Sequence, residues 1–273
     1  MKEIIESIRK TLIKMNNQGK KTIPTVKTAF DTFVNNQYNL YSIPVYKILQ
    51  SEEPEKVASC FILKYKDEAF LITAKHVYFD SLKREKVTQE PYFMYGLMQE
   101  SLPVVEDNHI RPIKDNADFI IIILTSHQVS QILGNRFKPI EEAQYDPHFF
   151  RLKQSFYFCC GYPNDINEPD FSSHQFIYKH FIVFSKTAQK KTKTKCKLTP
   201  LFTNDSKDLN TIEESSIDFH GMSGCPIWQI IQQKQGYSFM LKGLLIEYEN
   251  KVITGEWLCY ITKCIEEKFF KGD

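Results

Sequence analysis

The stretch Asp218-Phe219-His220-Gly221-Met222-Ser223-Gly224-Cys225-Pro226-Ile227-Trp228 constrains this chain more than any other. It sets a serine between glycines and opens an apolar run at Pro226, so a sharp turn must lead into a strand. Such a turn projects the hydroxyl and leaves backbone amides for other use. The N–H groups of Gly221 and Ser223 can converge on one point, where they would hold the oxyanion of an acyl-transfer intermediate. A lone serine is a weak nucleophile and needs a base, which itself needs orienting. Without those partners the stretch is only a Gly-Ser turn before a strand.

Both partners have candidates upstream. Val57 to Tyr65, the charged Lys66-Asp67-Glu68 and then Ala69 to Ala74 read as a β-hairpin. Its second strand runs into Thr73-Ala74-Lys75-His76. Most histidines at strand ends are structural, but His76 alone of the seven follows a small Thr-Ala pair at such an end. A neutral imidazole can take a serine proton and return it to a leaving amine. Further on, Asp115-Asn116-Ala117-Asp118 precedes the wholly apolar Phe119-Ile120-Ile121-Ile122-Ile123-Leu124. An aspartate pinned at the rim of a core suits the orienting of a base, and Asp118 is favoured over Asp115 because it abuts the strand. The plainer reading of Asp118 is a turn residue at a strand entry.

A chain of 273 residues and 32.1 kDa can bury a large core. Its 21 Phe and 14 Tyr favour β-structure, and a net charge of +2 offers no general argument for nucleic acid or membrane. Seven cysteines without a CxxC pair do not suggest a disulfide framework. The acidic start Met1-Lys2-Glu3-Ile4-Ile5-Glu6 is unlike a signal peptide, and no stretch reaches the roughly 18 apolar residues of a membrane span. A cytoplasmic, reducing setting is expected. His174 with His180 and Cys259 with Cys264 lack the usual zinc spacing, so no metal or other cofactor is expected.

Ile4, Ile5, Ile8, Leu12, Ile13 and Met15 recur at helical spacing, and a second short helix is expected over Thr25 to Val34. Residues 1–40 therefore read as a helical extension, packed on the same domain or serving as a docking surface for a regulatory protein. Strands are expected over Ile43 to Leu49, Pro91 to Met98, Leu102 to Val105, Ser155 to Cys160 and Phe176 to Phe184. Further strands are expected over Ile227 to Ile231, Tyr237 to Tyr248 and Lys251 to Trp257. Ser126 to Leu133 reads as a short helix, and residues 135–153 as the join between a first half, 41–145, and a second, 146–273. Thr262 to Phe270 reads as a closing helix that docks Ile265, Phe269 and Phe270. The lysine-rich segment 186–197 lacks interleaved aromatics and reads as a solvated hairpin loop rather than a nucleic-acid arm. Residues 203–216 read as a surface loop, and Cys159 and Cys160, facing opposite sides of a strand, as core residues.

Thr73-Ala74-Lys75-His76, Ala117-Asp118-Phe119-Ile120 and Gly221-Met222-Ser223-Gly224-Cys225-Pro226 together resemble the three blocks of the trypsin/chymotrypsin-like serine peptidases, closest to bacterial, disulfide-free members. The order His, Asp, Ser is that family's order and differs from the subtilisins and the α/β-hydrolases. Over residues 43 to 270 the resemblance implies an all-β fold of two packed six-stranded antiparallel β-barrels, flanked here by the N-terminal extension and the closing helix. It implies Ser223 as nucleophile, His76 as general base and acid, Asp118 as orienter, and Gly221 and Ser223 as oxyanion donors. Gly243-Leu244-Leu245-Ile246-Glu247 resembles the strand on which substrate main chain pairs, and Ile217, Asp218 and His220 would border the specificity pocket. Two positions depart from the pattern: Met222 replaces an aspartate that pairs with a newly cut N-terminus, and Cys225 replaces a glycine.

Two functions follow as expectations. One is a regulated intracellular serine endopeptidase acting on proteins or peptides, with no role for nucleic acid or membrane. The other is a latent protein-interaction module of the same fold, in which residues 1–40 or 203–216 cover the site until a partner opens it.

Overall fold

The computed structural model describes residues 32–33, 36–48, 55–77, 92–95, 110–111, 117–134, 137–145, 156–163, 181–192, 194–200, 219–233, 236–249 and 252–271. The expected N-terminal helix, Leu102 to Val105, the 203–216 loop, Asp115, His174, His180, Ile217 and Asp218 lie outside them.

The fold is mostly β: two antiparallel sheets and a C-terminal helix. The first sheet is built from β1 (Ile43–Ile48), β2 (Glu55–Tyr65), β3 (Glu68–Ala74), β4 (Tyr92–Tyr95), β5 (Ile110–Arg111) and β6 (Phe119–Ile123), in the order β4-β1-β2-β3-β6-β5. The second comprises β7 (Phe156–Gly161), β8 (Phe181–Lys190), β9 (Lys195–Pro200), β10 (Pro226–Gln232), β11 (Tyr237–Glu249) and β12 (Val252–Trp257). It closes on itself as β10-β11-β12-β9-β8-β7. Among the described residues one barrel therefore closes, not the expected two. The outer strands of the first sheet, β4 and β5, are four and two residues long and form no ladder with each other there.

Strand alternation separates two interiors in the second half. On β7, Tyr157 and Cys159 join one apolar cluster while Phe156, Phe158 and Cys160 join another. The same period sends Ile227 of β10 and Leu245 of β11 to the first, and Trp228, Leu244 and Ile246 to the second. The second cluster is continuous with the core of the first sheet. Barrel strands with both faces covered must be apolar at nearly every position, which explains the run Phe-Tyr-Phe-Cys-Cys. Cys159 and Cys160 are both fully buried, as expected of core residues.

The join between the halves is pinned to both. Ile140 bridges to Leu63 of β2 and Tyr145 to Leu241 of β11. Ahead of β1, Phe33 and the 3-10 turn Tyr38–Tyr41 belong to an aromatic cluster of the second half. The Phe33 ring lies 4.2 Å edge-on from Phe158 and 5.5 Å from Phe239, and Tyr38 sits edge-on to Trp228. The helix α1 (Ser126–Gly134) stands where the sequence placed it.

Two expectations need correction. The lysine-rich segment is mostly strand: β8 continues to Lys190 and β9 begins at Lys195. The buried Cys196 and Leu198 draw that segment into the barrel despite its charge. The closing helix begins four residues early, as α2 (Leu258–Ile265), and continues as a π-helical segment Glu266–Phe270. Leu258 and Ile261 are buried with Ile265 on one face, so the helical period starts directly after β12. This helix reaches back to the first sheet, with Phe269 at 5.0 Å from Phe70 and Glu266 paired to Lys66 at 2.9 Å. Among the described residues no helix is long and apolar enough to cross a membrane.

Phe33→Ala removes a ring that is 1% exposed and held among Phe158, Tyr38 and Phe239. It is expected to cost about 3–5 kcal/mol. Urea unfolding should show a lower midpoint with an unchanged slope.

Candidate active site

The register of the first sheet brings His76 to Asp118. On the β3–β6 ladder Ala74 lies opposite Phe119, so Lys75 and Asp118 come next, and the Lys75 N–H donates to the Asp118 carbonyl at 3.1 Å. Residues 75–77 then coil into a helical turn that folds His76 over the carboxylate. Asp118 Oδ1 accepts the His76 backbone N–H at 3.0 Å, and Oδ2 lies 2.8 Å from Nδ1. An ionised carboxylate only accepts, so Nδ1 carries the proton and a neutral ring presents Nε2 as its basic nitrogen. Burial by itself would raise the Asp118 carboxyl. The hydrogen bonds and charge of His76, with Lys195 nearby, more than reverse this and hold it below the usual carboxylate range.

The serine turn is shaped by two glycines in the left-handed region, Gly221 at φ 88° and Gly224 at φ 93°. The Met222 N–H donates to the Phe219 carbonyl and the Cys225 N–H to the Met222 carbonyl, each at 3.0 Å. On one side the turn bonds β11: the Gly224 N–H donates to the Leu245 carbonyl at 2.8 Å, and the Leu245 N–H to the Cys225 carbonyl at 2.9 Å. On the other side the turn lies against β2. There the Ser59 N–H donates to the Ser223 carbonyl at 2.9 Å, and the Ser59 hydroxyl to the Gly221 carbonyl at 2.8 Å. A Cβ on Gly224 would fall on the Ser59 carbonyl oxygen and 2.5 Å from Thr73 Oγ1. Only glycine fits this contact, which sets the serine against the strand pair that delivers His76.

The Ser223 hydroxyl donates to the Ile246 carbonyl at 2.8 Å. A hydroxyl has one proton, so in this arrangement it is directed to β11, and a bond to imidazole requires it to rotate away. Ile246 is available because the β11–β12 register shifts between Leu245 and Glu247. Among the described residues the Ser223 N–H donates to no protein acceptor. His220 is exposed in the turn, Glu247 is exposed on β11, and Ile246, which precedes Glu247 on that strand, is buried. Met222 and Cys225 are fully buried. Burial raises the Cys225 thiol well above its ordinary value, which leaves it an inert core residue.

Two residues escaped the reading of the sequence. Ser59 is wholly buried, and its four polar contacts serve the turn, Thr73 and Tyr162. Its only signal is a serine in an otherwise apolar strand segment. Glu256 is 0% exposed, on β12 opposite Lys195 of β9. Its Oε1 accepts the Asp118 N–H at 3.3 Å and lies 3.7 Å from Lys195 Nζ. A Gly-Glu-Trp within a strand carried no hint of this, because the partner is 138 residues away. Among the described residues no group of three or more His, Cys, Asp or Glu is placed to hold a metal ion.

Burial pushes the Glu256 carboxyl up to about 7, assisted by the Asp118 charge and opposed by the Asp118 amide and Lys195. Between its ordinary value of 4.5 and about 7 the folded state keeps a proton that the unfolded chain has released. Stability therefore falls as pH rises through that window, by on the order of 3 kcal/mol at full ionisation. Glu256→Gln should abolish this component. Paired thermal melts at pH 5 and pH 8 should show the variant gaining on the wild type at the higher pH.

No protein-family description matches the chain, and no curated protein matches it. Among solved structures, one from a study of aromatic interactions driving the coupled folding and binding of the intrinsically disordered Sesbania mosaic virus VPg protein aligns with 81% of this chain and 87% of its own. It shares 16% identity at a TM-score of 0.43, a likeness too slight to carry an argument.

Proposed function

We propose that this protein is a serine endopeptidase of the trypsin/chymotrypsin type, with His76, Asp118 and Ser223 as its triad. The observation that carries the reading is the double grip of Asp118 on His76, through the backbone N–H and through Nδ1. That grip sets the tautomer in which Nε2 can accept a proton, which is what a general base for a serine requires. The serine turn docked on Ser59 and Thr73 supplies the second half of the argument.

In this mechanism the Ser223 hydroxyl turns from Ile246 toward His76, which takes its proton as Oγ bonds to the substrate carbonyl carbon. The N–H groups of Gly221 and Ser223 hold the oxyanion. Collapse breaks the C–N bond, His76 protonates the departing amine, and water repeats the sequence on the acyl-enzyme. Substrate main chain would pair with β11 at Ile246 and Glu247. The β10–β11 ladder ends at Leu244, so β10 does not occupy that edge. Ile217, Asp218 and His220 would border the side-chain pocket. A two-barrel architecture, with the first sheet as the other barrel, belongs to this reading, as does a division at 1–40, 41–145 and 146–273. So does a cytoplasmic peptidase regulated by a protein that engages residues 1–40, with protein or peptide as substrate and no nucleic acid, membrane or cofactor.

A second reading has its own observation. The Ser223 proton is directed to Ile246 rather than to imidazole. This favours a latent module of the same fold whose site opens on binding a partner.

A fluorophosphonate probe separates the two. Labelling of the full-length protein, lost in Ser223→Ala and His76→Ala, is the outcome expected of the peptidase. Asp118→Asn should slow labelling by on the order of 10³–10⁴-fold while leaving the fold intact. Labelling that survives Ser223→Ala would dismiss this serine as the nucleophile. No labelling of the intact protein would favour the latent module.

A further inference from the structure

Glu256 is a poor choice if filling space were its only task. A carboxyl at 0% exposure loses its hydration, and a well-packed apolar side chain of similar volume is often at least as stabilising. Its placement is also specific. Glu256 comes from the closed barrel, whose strand β10 follows Ser223, yet it accepts the backbone N–H of Asp118, which leads into β6 of the first sheet. It is thus a polar link between the half that supplies the nucleophile and the half that supplies the His–Asp pair.

We propose that Glu256 is a positioning residue for the His76–Asp118 pair, holding Asp118 from the closed barrel and setting the charge behind it. The inference deepens the peptidase reading and rests on it for what the pair does. The contact itself does not depend on that reading.

The groups facing Glu256 come from three elements. The segment before β6 brings Asp118, with His76 beyond it. On β9, Lys195 is its cross-strand partner and Cys196 follows. From α2, Cys264 senses its charge, with Lys263 and Glu267 also acting on that thiol. Lys195 lies close enough to act on both carboxyls. Glu256 Oε2 has no hydrogen-bond partner among the described residues, so that oxygen can carry a proton without breaking a bond. When Glu256 is ionised, a second negative charge stands behind Asp118 and favours the imidazolium. When it is protonated, the Lys195 charge is left less opposed and the imidazolium is disfavoured. The basicity of His76 thus follows the proton on Glu256, whose burial-raised value of about 7 lies where such control would operate.

The test is ¹⁵N-histidine NMR of the full-length protein, with His76 assigned through His76→Asn, on wild type, Glu256→Gln and Lys195→Met/Glu256→Leu. The double variant removes both charges together, so neither is left buried alone and folding should survive. Glu256→Gln can still accept the Asp118 N–H. It should retain the downfield Nδ1 proton but titrate His76 lower by about half a pH unit or more, in one step. The double variant should fold, weaken that downfield proton, and react with the fluorophosphonate about tenfold or more slowly through the inactivation rate rather than probe affinity. Unchanged His76 titration and downfield proton in both variants would overturn the proposal. So would a folded double variant that reacts at the wild-type rate. If wild type does not label, the peptidase reading fails, while the NMR comparison still decides whether Glu256 governs His76.

Discussion

The buried contacts of Ser59 are what the rest of the site depends on. This side chain and its backbone join a turn of the second half to a strand of the first, through the carbonyls of Ser223 and Gly221. The Thr73 hydroxyl and the Tyr162 N–H complete the set. Buried polar groups are costly unless paired, so the bonds to Ser223, Gly221 and Tyr162 penalise any shift of one half against the other. Gly224 makes the approach possible, since a side chain there would meet the Ser59 carbonyl. The serine and the strand leading to His76 are thereby held in one relation by hydrogen bonds that water does not reach.

Around this contact the apolar framework provides stiffness and the polar groups provide direction. Barrel strands buried on both faces, the aromatic cluster of Phe33, Tyr38, Phe158, Trp228 and Phe239, and the return of α2 to Phe70 make the two halves hard to separate. Against that background the line His76, Asp118, Glu256 and Lys195 runs from the end of one sheet into the other. Asp118 is held low and Glu256 high, although both are carboxyls near the same lysine. The difference is physical: His76 offers Asp118 two donors, while Glu256 receives one long bond from an amide and a distant ammonium.

Much of the local structure was legible in the sequence because it is written at short range. The β2–β3 hairpin, the strand after Asp118 and the helix after Thr125 each follow from the apolar residues within them and the polar residues at their ends. The lysine-rich segment misled because charge suggested solvent, whereas alternating Cys196 and Leu198 belong to the barrel interior. The early start of α2 was masked by the β-branched and aromatic residues that run on from β12.

His76, Asp118 and Ser223 were nameable as candidates because each lies in a short pattern of small residues beside an apolar run. The two glycines around Ser223 also announced the left-handed turn. Only the tertiary structure decided that Asp118 holds His76 twice, that the Ser223 proton is directed to Ile246, and that Ser59 and Glu256 belong to the site. The reason is separation along the chain. Ser59 meets Gly221 across 162 residues and Glu256 meets Asp118 across 138, and no local pattern encodes a partner that the fold alone brings near.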